Sequence, residues 1–336
     1  MGAIKRITSW IKEWILIVSI LAGIGGYFLY VNIPSLDFTH SFMMRFVEAL
    51  QPCLIFAMLF VTFCKVDVKH LHVRKWHLWL LLFQCGMFLI LGLIVMLLPE
   101  HSNIDIVLEG AMICFICPVA TAGAVVTQKF GGSASAITTY TILINLFASI
   151  LIPIVVPYLH PETSMSTFTA SMLILGKVFP LLLLPLVLAI LVRQLFPKLH
   201  KAICRKQEFS FYLWVVALFL AIAVTTHFIM HTNVSLSIEI WLVVVTGISC
   251  AIQFSLGWKI GSFYNDRITA GQALGQKNTV LAIWVGYTFF NPITALAGGF
   301  YSIFHNVVNS WQLHRMSQKN HLPSPELKNT QLSPSK

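Results

Sequence analysis

A lysine stands in the middle of a long apolar stretch near the C-terminal end of the chain. Residues 270–282 read AGQALGQKNTVLA and set five small or polar residues side by side: Gly275, Gln276, Lys277, Asn278 and Thr279. Charge is expensive at membrane depth, so an ionisable residue there indicates an ion or substrate site by default. This stretch is therefore the first place to expect the chemistry of the protein.

The composition requires a membrane protein. Of the 336 residues, 57% are hydrophobic and only 10% are charged, with a mean hydropathy of +0.81. A soluble globule cannot bury that much apolar surface. Apolar windows of roughly 20 residues, the length that crosses a bilayer as a helix, predict about ten spans. They cover residues 14–31, 42–64, 76–98, 104–127, 133–158, 167–195, 209–230, 238–261, 268–289 and 292–313.

The distribution of lysine and arginine predicts the orientation. Both tails and the even-numbered connections carry these residues, whereas the odd-numbered connections, near residues 37, 100, 162, 233 and 291, carry none. By the positive-inside rule both termini are cytoplasmic, in an inner or plasma membrane. We expect tails at 1–13 and 317–336, the second polar, proline-containing and disordered. This bias explains the net charge of +10 without a nucleic-acid partner.

The spans divide into two sets of five, residues 14–158 and 167–313, which must have opposite topology because five is odd. Inverted repeats of this kind are typical of secondary transporters. The fourth member of each set is interrupted, by Pro118 to Gly123 with Thr121 between them, and by Gly271 to Asn278. Each break alone is better explained as a kink in a packed helix. Two breaks at equivalent positions favour a binding site of backbone groups and helix ends.

Four motifs resemble the bile acid:sodium symporter family. Residues 117–124 (CPVATAGA) are similar to its fourth-helix motif, and residues 273–282 (ALGQKNTVLA) to its ninth-helix pattern E-x-G-x-Q-N-x-x-L-A. Residues 300–311, with His305 and Asn306, are similar to its tenth-helix pattern, and Gln84 with Met87 to a third-helix motif. The resemblance implies ten helices in two inverted repeats, with helices four and nine broken and crossing.

The departures from the family fall on positions that bind sodium there. The acidic residue of the ninth-helix motif is Ala273, its following glutamine is Lys277, and a serine-asparagine pair of helix four is Gly123-Ala124. Gln84 and Thr141 remain as oxygen donors, but they do not replace a carboxylate cage next to an ammonium group. We therefore predict transport that is not coupled to sodium.

Lys277 has three candidate roles. It could fill the sodium volume as a fixed cation, couple transport to protons as a titratable group, or pair with an anionic substrate with help from Asn278 and Thr279. The structural alternative is neutralisation by a buried carboxylate such as Glu48 or Glu109. Lys177, about ten residues into its span, could reach Glu109 or a substrate.

These observations predict an all-α polytopic membrane protein that carries an organic anion, bile-acid-like or a small carboxylate, by alternating access. Its expected partners are that anion, membrane lipid and protons as a possible coupling ion, and no cofactor or metal is expected. The alternatives are a non-transporting sensor or scaffold and an intramembrane enzyme. The enzyme is disfavoured because the sequence has no His–Glu metal motif and no G-x-S-x-G. Cys114 and Cys117 form a C-x-x-C that is more typical of helix packing than of redox chemistry.

Overall fold

The computed structural model describes residues 15–66, 71–98, 103–161, 165–205, 209–231 and 235–321. Within these ranges the chain forms thirteen α-helices and no β-strand beyond a single isolated bridge. The helices are α1 (Ile15–Val31), α2 (His40–Cys64), α3 (Lys75–Leu97), α4 (Asn103–Ile116), α5 (Gly123–Lys129), α6 (Ala134–Leu159), α7 (Thr167–Leu195), α8 (Pro197–Arg205), α9 (Phe209–His231), α10 (Leu236–Phe263), α11 (Arg267–Gly275), α12 (Thr279–Phe289) and α13 (Ala295–His321).

The predicted spans coincide with these helices. Eight spans each match one helix, and the two spans with predicted breaks are each split into two helices, α4 with α5 and α11 with α12. Six described helices, namely α2, α3, α6, α7, α9 and α10, are long and apolar enough to cross a membrane by length and composition. The chain is therefore an integral, multi-pass membrane protein. The count of ten crossings and their inverted-repeat relation stay predictions.

Two described segments differ from the expected pattern. α13 continues to His321, past the predicted end of its span, so residues 317–321 are helical where a disordered tail was expected. The rest of that tail and the N-terminal tail, 1–13, lie outside the described residues. The short amphipathic helix α8 was also not predicted, because its basic sequence interrupts the apolar pattern between two spans.

The helices pack as two groups that are in direct contact with each other through α6 and α7. α1 contacts α9, and α2 contacts both α7 and α9, which joins these four helices into one group. In the second group α3, α6, α10 and α13 surround the split helices α4 and α11. Helix α12 contacts α13 in the second group and also α2 and α9 in the first. The second half of the broken ninth span therefore lies at the boundary between the groups.

A polar network fixes the start of α11. The Asp266 carboxylate forms an ion pair with Arg74 at the start of α3 and accepts hydrogen bonds from Trp76 Nε1, at 3.0 Å, and from the Thr269 hydroxyl. Thr269 Oγ1 in turn accepts a hydrogen bond from the backbone N–H of Ser133 at 3.0 Å. Three segments distant in sequence are thereby held together beside the broken helix.

Candidate functional site

The two helix breaks lie against each other. An isolated antiparallel bridge pairs Val119 with Lys277. The Ala120 N–H donates to the Gln276 carbonyl at 3.0 Å, and the Asn278 N–H donates to the Pro118 carbonyl at 2.9 Å. Backbone groups that cannot bond within a helix must find partners inside a membrane protein. Here each extended segment supplies the partners of the other, so the predicted breaks form one candidate site. We call this site, residues 117–122 and 276–278, the crossing.

The C-terminal end of α4 is capped by three side chains. A helix leaves its last carbonyl groups without an intrahelical partner. Gln253 Nε2 donates to the Cys114 carbonyl at 3.2 Å, and Lys277 Nζ to the Phe115 carbonyl at 3.4 Å. Gln84 Nε2 donates to the carbonyls of Ile116 and Cys117, at 3.4 Å and 3.0 Å. Four successive carbonyl groups, from 114 to 117, are therefore met by side chains from α10, α3 and the crossing segment.

The Lys277 ammonium is buried without a carboxylate partner among the described residues. Its side chain exposes 1% of its surface, and no ion pair of the described residues includes it. Glu109, one suggested counter-ion, instead lies 2.9 Å from His160 Nε2, and Glu48 is exposed elsewhere on α2. The helix dipole places partial negative charge at the C-terminal end of α4, which favours a cation there by about 0.3–2 kcal/mol. This end compensates for part of the missing carboxylate.

Free thiol groups also lie near the Lys277 ammonium. Four thiol groups lie within electrostatic range of the ammonium, and all four cysteines are free: Cys85, Cys114, Cys117 and Cys250. Thiols are weak hydrogen-bond acceptors in comparison with carboxylates or amides. Cys114 and Cys117, the C-x-x-C pair, thus lie beside the Lys277 side chain.

The second break is closed by a tyrosine and an asparagine. Tyr301 on α13 donates its hydroxyl to the Gly275 carbonyl at 2.8 Å, which caps the end of α11. Asn278 Oδ1 accepts the backbone N–H of Leu281 at 3.2 Å and caps the start of α12, whose first residue is the buried Thr279. A Cβ atom on Gly275 would collide with the ring of Phe254 on α10. Glycine is therefore required here by close packing.

Little space is left at Gly123 and Ala273, two positions where the motifs depart from those of the symporter family that they resemble. A Cβ atom at Gly123 would lie 2.7 Å from Val119 Cγ1 and 3.8 Å from Gln276 Oε1. Val119 thus occupies the space that a side chain at position 123 would take, and Ala273 is completely buried. The amide oxygen of Gln276 is buried without a hydrogen-bond partner among the described residues. A serine at 123 would need the backbone or Val119 to move.

The other predicted site residues have different surroundings. Thr121 lies in the fourth-span break, and its carbonyl accepts the Thr62 hydroxyl of α2 at 3.2 Å. Thr141 and Asn306 donate to carbonyl groups of their own helices, Ile137 at 2.9 Å and Ser302 at 2.6 Å. His305 is buried and meets the ring of Tyr301 edge to face, with centroids 5.8 Å apart. The described contacts of Thr141 and Asn306 therefore do not bring them to the crossing.

Three residues of the site were missed in the sequence. Tyr140 donates its hydroxyl to Gln84 Oε1 at 2.8 Å and so orients the amide that caps α4, while Gln253 and Tyr301 cap carbonyl groups directly. All three lie within predicted spans. A buried tyrosine hydroxyl normally has a hydrogen-bond partner, and that requirement was the available signal for Tyr140 and Tyr301.

The described residues form a polytopic membrane protein with paired helix breaks around a buried lysine, an arrangement that is typical of secondary transporters. Residues 34–302 match the SBF-like CPA transporter family. Because the match covers most of the chain, the protein belongs to that family. No curated protein matches the sequence significantly. The family is bile acid:sodium symporter-like, which agrees with the resemblance seen in the motifs, whereas the narrower symporter family stays a prediction.

Proposed function

We propose that the protein is a secondary transporter for an organic anion, bile-acid-like or a small carboxylate. It works by alternating access without sodium coupling, with the Lys277 ammonium at the position of the ion. The observation that carries the proposal is the burial of Lys277 at the crossing, with a carbonyl acceptor and no ion pair to a described carboxylate. A fixed positive charge disfavours sodium in the same volume, at a cost that rises as the local dielectric falls.

The arrangement of the helices supports alternating access. Helix α12 begins at the crossing and lies between the two helix groups, so a displacement of one group against the other acts directly on the site. Rigid-body rocking of one bundle against another around a fixed site is the usual mechanism of secondary transporters with broken helices. We place both termini in the cytoplasm on the basis of the lysine and arginine distribution.

Uptake into proteoliposomes tests the proposal. A panel of bile salts and short keto acids would be offered with sodium and proton gradients imposed separately. We expect uptake of at least one anion at a rate that does not depend on the sodium gradient. Replacing Lys277→Gln should abolish uptake or its response to pH, and Lys259→Gln should not, because Lys259 is exposed on α10. Gel filtration of both variants checks that they fold.

The outcomes separate the alternatives. Uptake that accelerates with the sodium gradient in the unmodified protein contradicts the proposal. Unchanged uptake and unchanged pH response in Lys277→Gln would give the lysine a purely structural role as a cap of α4. No uptake of any anion by well-folded protein would overturn the transport function and favour a sensor or scaffold.

A further inference from the structure

A cavity of about 540 Å³ lies between α2, α7, α9 and α12, at the boundary of the two helix groups. Its volume falls in the range of about 300–1,000 Å³ that is typical of small-molecule sites. The lining contains one carboxylate, one ammonium and three aromatic rings: Glu48, Lys177, Phe228, Trp284 and Tyr287. Trp284 and Tyr287 belong to α12, so the cavity adjoins the helix that begins at the crossing.

The two charged side chains face the cavity without forming an ion pair with each other. The structure describes both residues, and the ion pairs of the described residues include neither Glu48 nor Lys177. The neighbouring Arg45 likewise forms no ion pair with Glu48. Ionisable residues within membrane spans normally pair or line a water-filled cavity. A carboxylate and an ammonium group that line one cavity without pairing can both bind a single ligand that carries a positive and a negative charge.

The Glu48 side of the cavity suits a cationic group. Pro52 has no N–H, so the Glu48 carbonyl, one helical turn earlier, lacks its usual intrahelical donor. The Tyr287 hydroxyl donates to Gln51 Oε1 at 2.8 Å, which fixes the ring next to Glu48. Trp284 and Phe228 also line the cavity, and aromatic rings attract ammonium groups through their quadrupoles. Lys177 is the one cationic group of the lining and would hold an anionic group.

We infer that this cavity binds a small zwitterionic organic solute, with its carboxylate at Lys177 and its ammonium group at Glu48 and the aromatic rings. The inference rests on the proposed function, because it takes the transported solute to be a carboxylate that also carries a positive charge. The headgroup of a zwitterionic lipid has the same chemistry, an anionic phosphate and an ammonium group. The experiment must therefore distinguish a soluble solute from a lipid.

The test compares probes that differ by one charge. Thermal stabilisation of the purified full-length protein in detergent would be measured with glycine betaine, with tert-butylacetate, which replaces the quaternary nitrogen by carbon, and with choline, which lacks the carboxylate. L-Alanine, propionate and ethylamine form a second, smaller set. We expect at least one zwitterion to bind about tenfold or more tightly than both of its singly charged analogues, as loss of one ion contact in a partly desolvated site implies.

Variants assign each charge. Glu48→Gln should remove the preference for the zwitterion over its anionic analogue, and Lys177→Gln should remove the preference over its cationic analogue. Arg45→Gln, a charge change on the same helix outside the cavity lining, should alter neither ratio. Equal binding of zwitterion and plain anion, or ratios that survive both variants, would overturn the inference.

A further experiment with defined lipids shows whether the ligand is a soluble solute or a lipid headgroup. The protein would be reconstituted in phosphatidylglycerol with and without phosphatidylethanolamine. Stabilisation by phosphatidylethanolamine that Glu48→Gln abolishes, without binding of either soluble zwitterion, would assign the same site to a lipid headgroup. Gradient-driven uptake of plain anions with no advantage for zwitterions would overturn this inference and leave the proposed function intact. Zwitterion binding that depends on Glu48 and Lys177, without uptake of any substrate, would overturn the proposed function alone.

Discussion

The cap formed by Gln84 should make a large contribution to stability for a single amide. In Gln84→Leu three buried groups lose their partner: the carbonyls of Ile116 and Cys117 and the hydroxyl of Tyr140. An unsatisfied buried polar group costs about 1–3 kcal/mol, so we expect a loss near the low end of the sum, about 3 kcal/mol. The free energy of unfolding would be measured by SDS titration in mixed micelles, followed by circular dichroism.

A double-mutant cycle gives the critical comparison. Tyr140→Phe alone removes one hydrogen bond and leaves only the Gln84 oxygen unpaired, at a cost of about 1–2 kcal/mol. The double variant has neither a tyrosine hydroxyl nor a glutamine oxygen to leave unpaired. Its loss of unfolding free energy should therefore be smaller than the sum of the two single losses by about 1 kcal/mol or more. Strictly additive costs would refute the hydrogen bond between Gln84 and Tyr140. A Gln84→Leu loss below about 1 kcal/mol would refute the view that this amide caps α4.

Two further predictions concern the surroundings of the crossing. Gly275→Ala should destabilise the protein by about 1–3 kcal/mol through overpacking against Phe254. The control Gly86→Ala, with no atom within 4 Å of its new Cβ, should leave the stability unchanged. Equal midpoints of the two variants in thermal unfolding would contradict this prediction. Asp266→Ala should cost more than Arg74→Gln, because the carboxylate also accepts two hydrogen bonds and the half-exposed ion pair contributes only about 0–1 kcal/mol. SDS titration of both variants checks that order, and the reverse order would show that the network does not hold α11.

The sequence predicted the helices and the breaks because both depend on local properties. Apolar length set the spans, and Pro118 with the glycines and polar residues around Lys277 marked the two interruptions. The partners of the freed backbone groups were not predictable in this way. The bonds that join residues 118 to 278 and 120 to 276 connect segments more than a hundred and fifty residues apart, and only tertiary packing decides them.

The same limit applies to the polar side chains. Gln84 was identified as an oxygen donor, yet its oxygen accepts from Tyr140 and its amide nitrogen caps α4. The sequence left open whether Lys177 reaches Glu109 or a substrate; in the structure Glu109 contacts His160, and Lys177 lines a cavity with Glu48. Spacing along one helix gives the face on which a side chain lies. It does not give the neighbouring helix that this face meets.

The response of the purified protein to sodium tests the central claim most directly, and it requires no knowledge of the substrate. An ion that binds only to the folded state stabilises the protein, and the stabilisation depends on the ion concentration relative to the dissociation constant. Thermal unfolding in sodium chloride should match unfolding in N-methylglucamine chloride of equal ionic strength, because in the proposed mechanism Lys277 takes the position of the ion. Saturable stabilisation by sodium in the unmodified protein would contradict the claim.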